Sequence, residues 1–472
     1  MSDFEVIIGL EVHTQLKTES KIFCSCSTKS QSLPNTNICP VCCGYPGVLP
    51  VFNKKVLELA IRVSLAVNCK INKSIYFERK NYFYPDLPKN YQISQYKMPL
   101  GEAGFFELSS GKKININRVH MEEDAGKLIH KEGYSWIDFN RAGTPLLEIV
   151  TEPDIRSPEE AFEYLSSLKL ILQYINASDC DMEKGSLRCD ANISLRKRGD
   201  TALGTKVELK NMNSFRGVKA ALEFETKRQA KVIGQGKKIT QETRLWDVGK
   251  LKTIVMRSKE EAHDYRYFPE PDLLDFAIPG ELIKREQDLV GELPLEKRKR
   301  FLEDYRIGPD EIDILLSDRR LADFFEAAVK FYLKPQEVSN WLIGPFLEQI
   351  NSLENGFSSV KISAEKFSQI VKYFKEGRLN NITAKKALFL SITTNENIDM
   401  IIEREGLKQL SAEGEIDIFI EEVIKENPKP VKEYLEGKNQ AIMFLVGQAM
   451  KKSKGKANPQ VAREMIKRRI EK

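Results

Sequence analysis

Ile8-Gly9-Leu10-Glu11-Val12-His13 alternates apolar and polar residues. A period of two is that of a β-strand, so Leu10 and Val12 share one face while Glu11 and His13 share the other. The alternation runs through Phe4–Thr14 and returns in Lys113–Val119, Leu187–Leu195 and Lys206–Lys210. One clear helix interrupts these strands. Ser157 suits an N-cap, Pro158 the first helical position, and Glu160 the far side of a capping box. Phe162, Leu165, Leu168, Leu172 and Ile175 then form an apolar stripe. A second helix is expected over Val218–Val232. From Leu293 onward the texture is helical, in Glu296–Tyr305, Arg320–Tyr332, Ala364–Phe374 and Ala384–Leu390. A third unit holds Glu415–Glu426, the breaker Asn427-Pro428-Lys429-Pro430, a helix over Lys432–Met450, and a final helix capped by Asn458. The expectation is an α+β fold with a strand-rich domain over residues 1–292, an all-α domain over 293–404 and a small all-α tail over 405–472.

The 472 residues suit about three domains. With 41% hydrophobic and 30% charged residues, the chain is neither disordered nor fibrous. No run reaches the ~18 apolar residues of a membrane span, and the start lacks the pattern of a secretory signal. Eight cysteines in so long a chain do not suggest a disulfide framework. A cytoplasmic protein away from membranes is expected. Between Lys451 and Lys472 there are nine Lys/Arg against two Glu. Such a field attracts polyanions, and it also fits a solvated, solubilising end.

Cys24-Ser25-Cys26 and Cys39-Pro40-Val41-Cys42 form two short knuckles separated by twelve residues. Four thiolates so spaced can close a tetrahedron around Zn²⁺, with no open position for catalysis. Glu11 beside His13 fits a hard-cation or phosphate site, and taken alone fits a surface strand better. Acids also gather in Glu122-Glu123-Asp124, and Glu208 sits in an alternating segment. Glu148, inside Leu146-Leu147-Glu148-Ile149-Val150, is the most informative, because an acid in an apolar run is costly to bury unless paired or bound to metal. Mg²⁺ takes one or two carboxylates plus phosphate oxygens and water. No Walker loop, zincin motif or nucleophile elbow accompanies these acids.

Several long segments resemble the B-type subunits of the aspartyl/glutamyl-tRNA(Asn/Gln) amidotransferases. They are Glu5–His13, Pro34–Cys42 running on to Gly47, Arg79–Ser94, Glu122–Lys127, Asp138–Val150, Gly185–Ser194, Lys206–Phe215 and Asp264–Leu273. Phe444–Gln448 and Lys454–Pro459 match near the end. The resemblance implies a cradle-like catalytic domain, a helical domain and a tail that binds the tRNA elbow. It implies a heterotrimer completed by an A-type glutaminase and a C-type partner. The B-type member would bind mischarged Glu-tRNA(Gln) or Asp-tRNA(Asn) and phosphorylate the side-chain carboxylate with ATP and Mg²⁺. Ammonia would then displace phosphate.

On that resemblance Glu11, His13, Glu123 and Glu148 surround the metal, with Glu122, Asp124 and Glu208 as additions and the register within Glu122–Asp124 open. Cys24, Cys26, Cys39 and Cys42 match a structural zinc knuckle. Asp190, Asn192, Lys210, Asn211 and Asn213 would position phosphates or the tRNA end, and they fit turn and strand-edge chemistry as well. Lys80 and Lys89 match a polar ammonia route. Lys451, Lys452, Lys454, Lys456, Arg463, Lys467, Arg468 and Arg469 would meet the tRNA backbone. The competing reading is a zinc-containing tRNA-binding module without chemistry of its own.

Overall fold

The computed structural model describes residues 3–29, 33–131, 133–258, 265–408, 413–453 and 457–471. The chain is α+β, with a strand-rich region followed by a helical one. It divides into two compact units, residues 1–296 and 297–472.

The first unit is built on nine strands. They are β1 (Phe4–Gln15), β2 (Lys70–Ile71), β3 (Gly101–Glu107), β4 (Lys113–Glu123), β5 (Pro145–Thr151), β6 (Leu187–Lys197), β7 (Val207–Lys210), β8 (Glu242–Asp247) and β9 (Lys252–Ser258). Their order across the sheet is β9-β8-β7-β6-β1-β5-β4-β3-β2. All neighbours are antiparallel except β7 and β8. The strand expected from the first residues is therefore the centre of the sheet.

Ile8, Leu10 and Val12 of β1 are fully buried, in one cluster with Met121, Ile149, Ala191, Ile193 and Leu209. The same cluster takes in α1 (Lys54–Ala66), α2 (Pro158–Tyr174) and α3 (Phe215–Gly234). One sheet face is thus covered by helices, which leaves the alternate residues on the opposite face. Gly104 on β3 permits a close crossing, since a Cβ there would lie 2.5 Å from the Val67 carbonyl oxygen. At α2 the Ser157 hydroxyl accepts the Glu160 N–H, as expected of the cap. The reciprocal half of the box is absent. The Glu160 carboxylate instead accepts the Arg156 N–H at 2.8 Å and the Lys112 ammonium at 2.6 Å, because both groups compete for it at the helix entrance.

In the second unit every described element is helical. Arg319–Phe331, Ala364–Lys375 and Asn381–Ser391 lie where the apolar spacing places them. Two buried clusters form, one from Phe301 to Leu407 and one from Ile416 to Ile470. The breaker and the helix after it differ from expectation. Pro428 and Pro430 open a helix, Pro428–Leu435, because the first turn needs no internal N–H donors. The break comes later, where Gly437 takes φ +95° before the helix Gln440–Lys452. Asn458 caps the last helix, Pro459–Ile470, by accepting the Gln460 and Val461 N–H groups. Among the described residues no helix is long and apolar enough to cross a membrane.

Candidate active site

The polar face of the central sheet collects ionisable side chains by cross-strand pairing. His13 of β1 faces Glu148 of β5, which in turn faces His120 of β4. His13 Nε2 lies 3.3 Å from Glu148 and 3.8 Å from Glu122. His120 Nε2 lies 3.2 Å from Glu148 and 4.0 Å from Glu122. On the other side of β1, Glu11 faces Asp190 of β6, and Asn192 faces Glu208 of β7. The ligand atoms of His13, Glu122 and Glu148 come within 4.8 Å of one another, as do those of Glu11, Asp190 and Glu208. Two residues along a strand span about 7 Å, so Glu11 and His13 place the two sets side by side.

The first set is nearly dry, with Glu122 and Glu148 buried. Burial works against charge on Glu148, yet His120 and His13 outweigh it and hold its carboxyl well below the usual range. Burial likewise works against the His13 imidazolium, and Glu148, Glu122 and Asp190 overcome it to push its pKa up to about 9. Lys80 behaves in the same way. Burial disfavours its charge, and Glu122, Tyr267 and Glu148 raise its pKa. The pocket demands positive charge. An imidazole with two carboxylates also suits a hard cation that keeps positions for phosphate and water.

In the second set Asn192 Nδ2 donates to Glu11 at 2.8 Å, and Thr243 Oγ1 donates to Glu208 at 2.7 Å. The Lys210 ammonium pairs with Asp190 and, at 3.2 Å, with Glu208. Burial opposes its charge and the two carboxylates raise its pKa. A cleft of about 750 Å³ borders the first set and reaches Asp190 of the second, lined by His13, Lys80, Glu122, Arg188, Asp190, Lys210 and Asn211 among others, while Glu11 and Asn192 line a separate cavity.

Several expected ligands lie elsewhere. Glu123 is one residue out of phase with Glu122, so strand alternation turns it away from His13. It accepts the Ile93 N–H at 2.9 Å and pairs with Lys89. Asp124 is buried and saturated, with Arg188 at 2.9 Å, Arg141 at 3.6 Å and a hydrogen bond from Gln15 Nε2 at 2.8 Å. Burial would raise its pKa, and the two guanidiniums lower it. It is a brace between strand ends. Glu123 therefore does not join Glu11, His13 and Glu148, and the ionisable side chains gather instead in two sets of three. Asn213 is exposed just before the α3 cap and is not among the cleft-lining residues. Lys80 and Lys89 do not share a cavity. Lys80 lines the cleft, and Lys89 lines a separate cavity beside Cys24 and Cys42. His120 and Arg188 were not anticipated. The signal for His120 was its two-residue spacing from Glu122.

The Cys24, Cys26, Cys39 and Cys42 sulfurs also lie within 4.8 Å of one another. The Cys39 N–H donates to Cys42 Sγ at 3.2 Å. Lys21, fully buried, places its ammonium 3.6 Å from the same sulfur. A hydrogen bond from Cys24 lowers the Cys42 pKa most, burial opposes it, and the Cys39 N–H and Lys21 bring it down to about 4. Four sulfurs, one of them a thiol whose pKa is held low, and a buried ammonium beside it fit a structural Zn²⁺.

Residues 6–284 match the family model of the GatB/GatE catalytic domain, and residues 323–470 match that of the GatB domain. The chain belongs to the GatB family. It is 47% identical over 472 residues to one of the B-type aspartyl/glutamyl-tRNA(Asn/Gln) amidotransferase subunits of Clostridium acetobutylicum, covering 98% of this chain and 99% of that one. It is 49% identical over 473 residues to the B-type subunit of Thermoanaerobacter pseudethanolicus, covering 99% and 100% of the two chains. It is 46% identical over 480 residues to that of Carboxydothermus hydrogenoformans, covering both chains completely.

The GatB-domain tail is less uniformly basic than its last residues suggest. Helix Glu413–Glu426 carries six acids and one lysine. Lys452 reaches Glu422 at 2.6 Å and Glu426 at 2.7 Å, and Arg469 pairs with Asp417 and Glu421. Lys451, Arg463, Lys467 and Arg468 are exposed. Lys454 and Lys456 lie outside the described residues.

Proposed function

We propose that this chain is the tRNA-binding, carboxylate-activating member of an ATP-dependent amidotransferase that converts Glu-tRNA(Gln), Asp-tRNA(Asn) or both into the amide forms. It would work in the cytoplasm as part of a heterotrimer with an A-type glutaminase and a C-type partner. The observation that carries the reading is the pair of adjacent three-residue sets on one sheet face, with a cleft bordering His13 and Glu122 of the first and Asp190 of the second. Full-length similarity to proteins named for this reaction supports it.

A carboxylate is a poor acyl electrophile, and phosphorylation supplies it with a leaving group. A side-chain oxygen of the aminoacyl group attacks the γ-phosphorus of ATP, and ADP leaves. Ammonia from glutamine hydrolysis then attacks the acyl carbon, and phosphate leaves as the amide forms. Bound Mg²⁺ neutralises phosphate charge and helps align the in-line oxygens. His13, Glu122 and Glu148 would hold one such ion, and Glu11, Asp190 and Glu208 are placed to hold another. Lys210 and Arg188 would supply cations facing the phosphates, Asn211 would supply an amide group at the cleft, and Asn192 would hold Glu11 through its amide. Lys80 in this cleft and Lys89 in the cavity beside the four cysteines would each border the route of ammonia. The exposed basic residues of the tail would hold the tRNA body through its backbone.

A module that only bound tRNA would gain nothing from two carboxylate sets, which repel phosphates unless a cation bridges them. The test is ADP formation by the assembled complex with Mg²⁺, and capture of the activated carboxylate by hydroxylamine. Both are expected with mischarged tRNA and not with uncharged tRNA. Equal ADP formation with the two, and no hydroxamate, overturns the reading.

A further inference from the structure

Strands Lys127–Lys131 and Tyr134–Asp138 pair as a hairpin separate from the main sheet. Lys131 faces Tyr134, Ile129 faces Trp136 and Lys127 faces Asp138, so these side chains share one face. On the other face His130 Nδ1 lies 2.9 Å from Ser135 Oγ, and His130 lines the cleft described above. The hairpin is therefore part of the cleft rim, with its outer face turned away.

That outer face is unusual for a surface. Tyr134 is 76% exposed and Trp136 57% exposed. The Lys131 ammonium sits 4.6 Å from the Trp136 ring centroid, and Lys127 is exposed at the other end. Asp138, the acid on this face, is engaged at its base, where Oδ1 accepts the Asn35 and Asn140 N–H groups at 3.0 Å. The base is braced. Asn35 Nδ2 donates to the Ile137 carbonyl, the Gly126 N–H donates to the Asp86 carbonyl, and a Cβ at Gly126 would come within 2.9 Å of the Asp138 carbonyl oxygen. Exposed rings flanked by lysines on a braced scaffold suit unpaired nucleobases, whose faces stack while the cations meet the phosphates. A protein–protein interface core instead tends to exclude lysine.

We propose that Tyr134 and Trp136, flanked by Lys127 and Lys131, form a stacking platform for the unpaired 3′-terminal bases of tRNA as they enter the cleft. This rests on the reading of the cleft given above. Trp136 is the exposed one of three tryptophans, Trp246 and Trp341 being 3% and 6% exposed, so its emission reports on this surface. The full-length chain is titrated with a tRNA(Gln) transcript and with the same transcript lacking its unpaired 3′ nucleotides. Quenching by the intact transcript alone is expected. Tyr134→Ala with Trp136→Ala should weaken intact tRNA roughly tenfold and leave the trimmed transcript unchanged, while Trp136→Phe keeps affinity. If both transcripts bind and quench alike and the alanine variant binds like wild type, the platform falls and the amidotransferase reading stands. If the glutaminase partner changes the emission and tRNA does not, the face is a protein interface and the platform falls. If neither transcript binds, both readings fall.

Discussion

His13 Nε2 lies 3.3 Å from a carboxylate oxygen of Glu148, on two strands that pair directly at these positions. Without a cation, the imidazolium neutralises that acid, so the pair is a titratable element of the fold. The His13 pKa is raised from 6.5 to about 9. A raised folded-state pKa means that its stabilisation is complete below pH 6.5 and is lost as pH rises through about 9. The contribution is on the order of 3 kcal/mol. Denaturation of chelator-treated protein should show stability falling across that interval, and His13→Gln should flatten the fall. A wild-type profile without this step counts against the charged pair.

Glu148→Gln and Glu11→Gln should each reduce carboxylate activation at least about a hundredfold, while tRNA binding and the glutaminase activity of the complex persist. Hydroxamate formation, filter binding and glutamate release measure the three separately. His120→Ala removes an imidazole that lies 3.2 Å from Glu148 on the neighbouring strand and should weaken Mg²⁺ affinity by roughly 10- to 100-fold.

Cys42→Ser should abolish the zinc content of the purified protein and lower its melting temperature, because three thiolates no longer close the site. Metal analysis reads the first effect and calorimetry the second. Retention of stoichiometric zinc would show that the four sulfurs are not the ligands.

In the tail, Lys451→Gln should weaken tRNA binding more than Lys452→Gln, since Glu422 and Glu426 already hold Lys452. Neutralising Lys451, Lys452, Lys454 and Lys456 together should lower the salt dependence of binding, by about 1 in the log–log slope for each phosphate no longer neutralised. Affinity that is unchanged at low and high salt refutes the tail as the tRNA-binding surface.

The reading of Glu11 and His13 on one face of β1 followed from local alternation alone, and the Ser157 cap and the paired cysteines were equally local. Which acid of the run joins His13 and Glu148 was not legible. Glu122 and Glu123 are neighbours, and choosing between them needs the phase of β4 against β5, which pairing with residues 145–151 supplies. Lys452 and Arg469 looked like open cations because their partners, Asp417, Glu421, Glu422 and Glu426, come from a helix tens of residues earlier.

Taken by itself, the sequence determined the shared face of Glu11 and His13, the helix caps at Ser157 and Asn458, the spacing of the four thiols and the family. Those are properties of period, capping and covalent neighbourhood, all contained within a few residues. Tertiary structure alone decided that the acids divide into two sets around β1, that Asp124 is bound by arginines, and that part of the basic tail is neutralised. Such outcomes depend on which distant faces meet, and electrostatic partnership is set by distance in space.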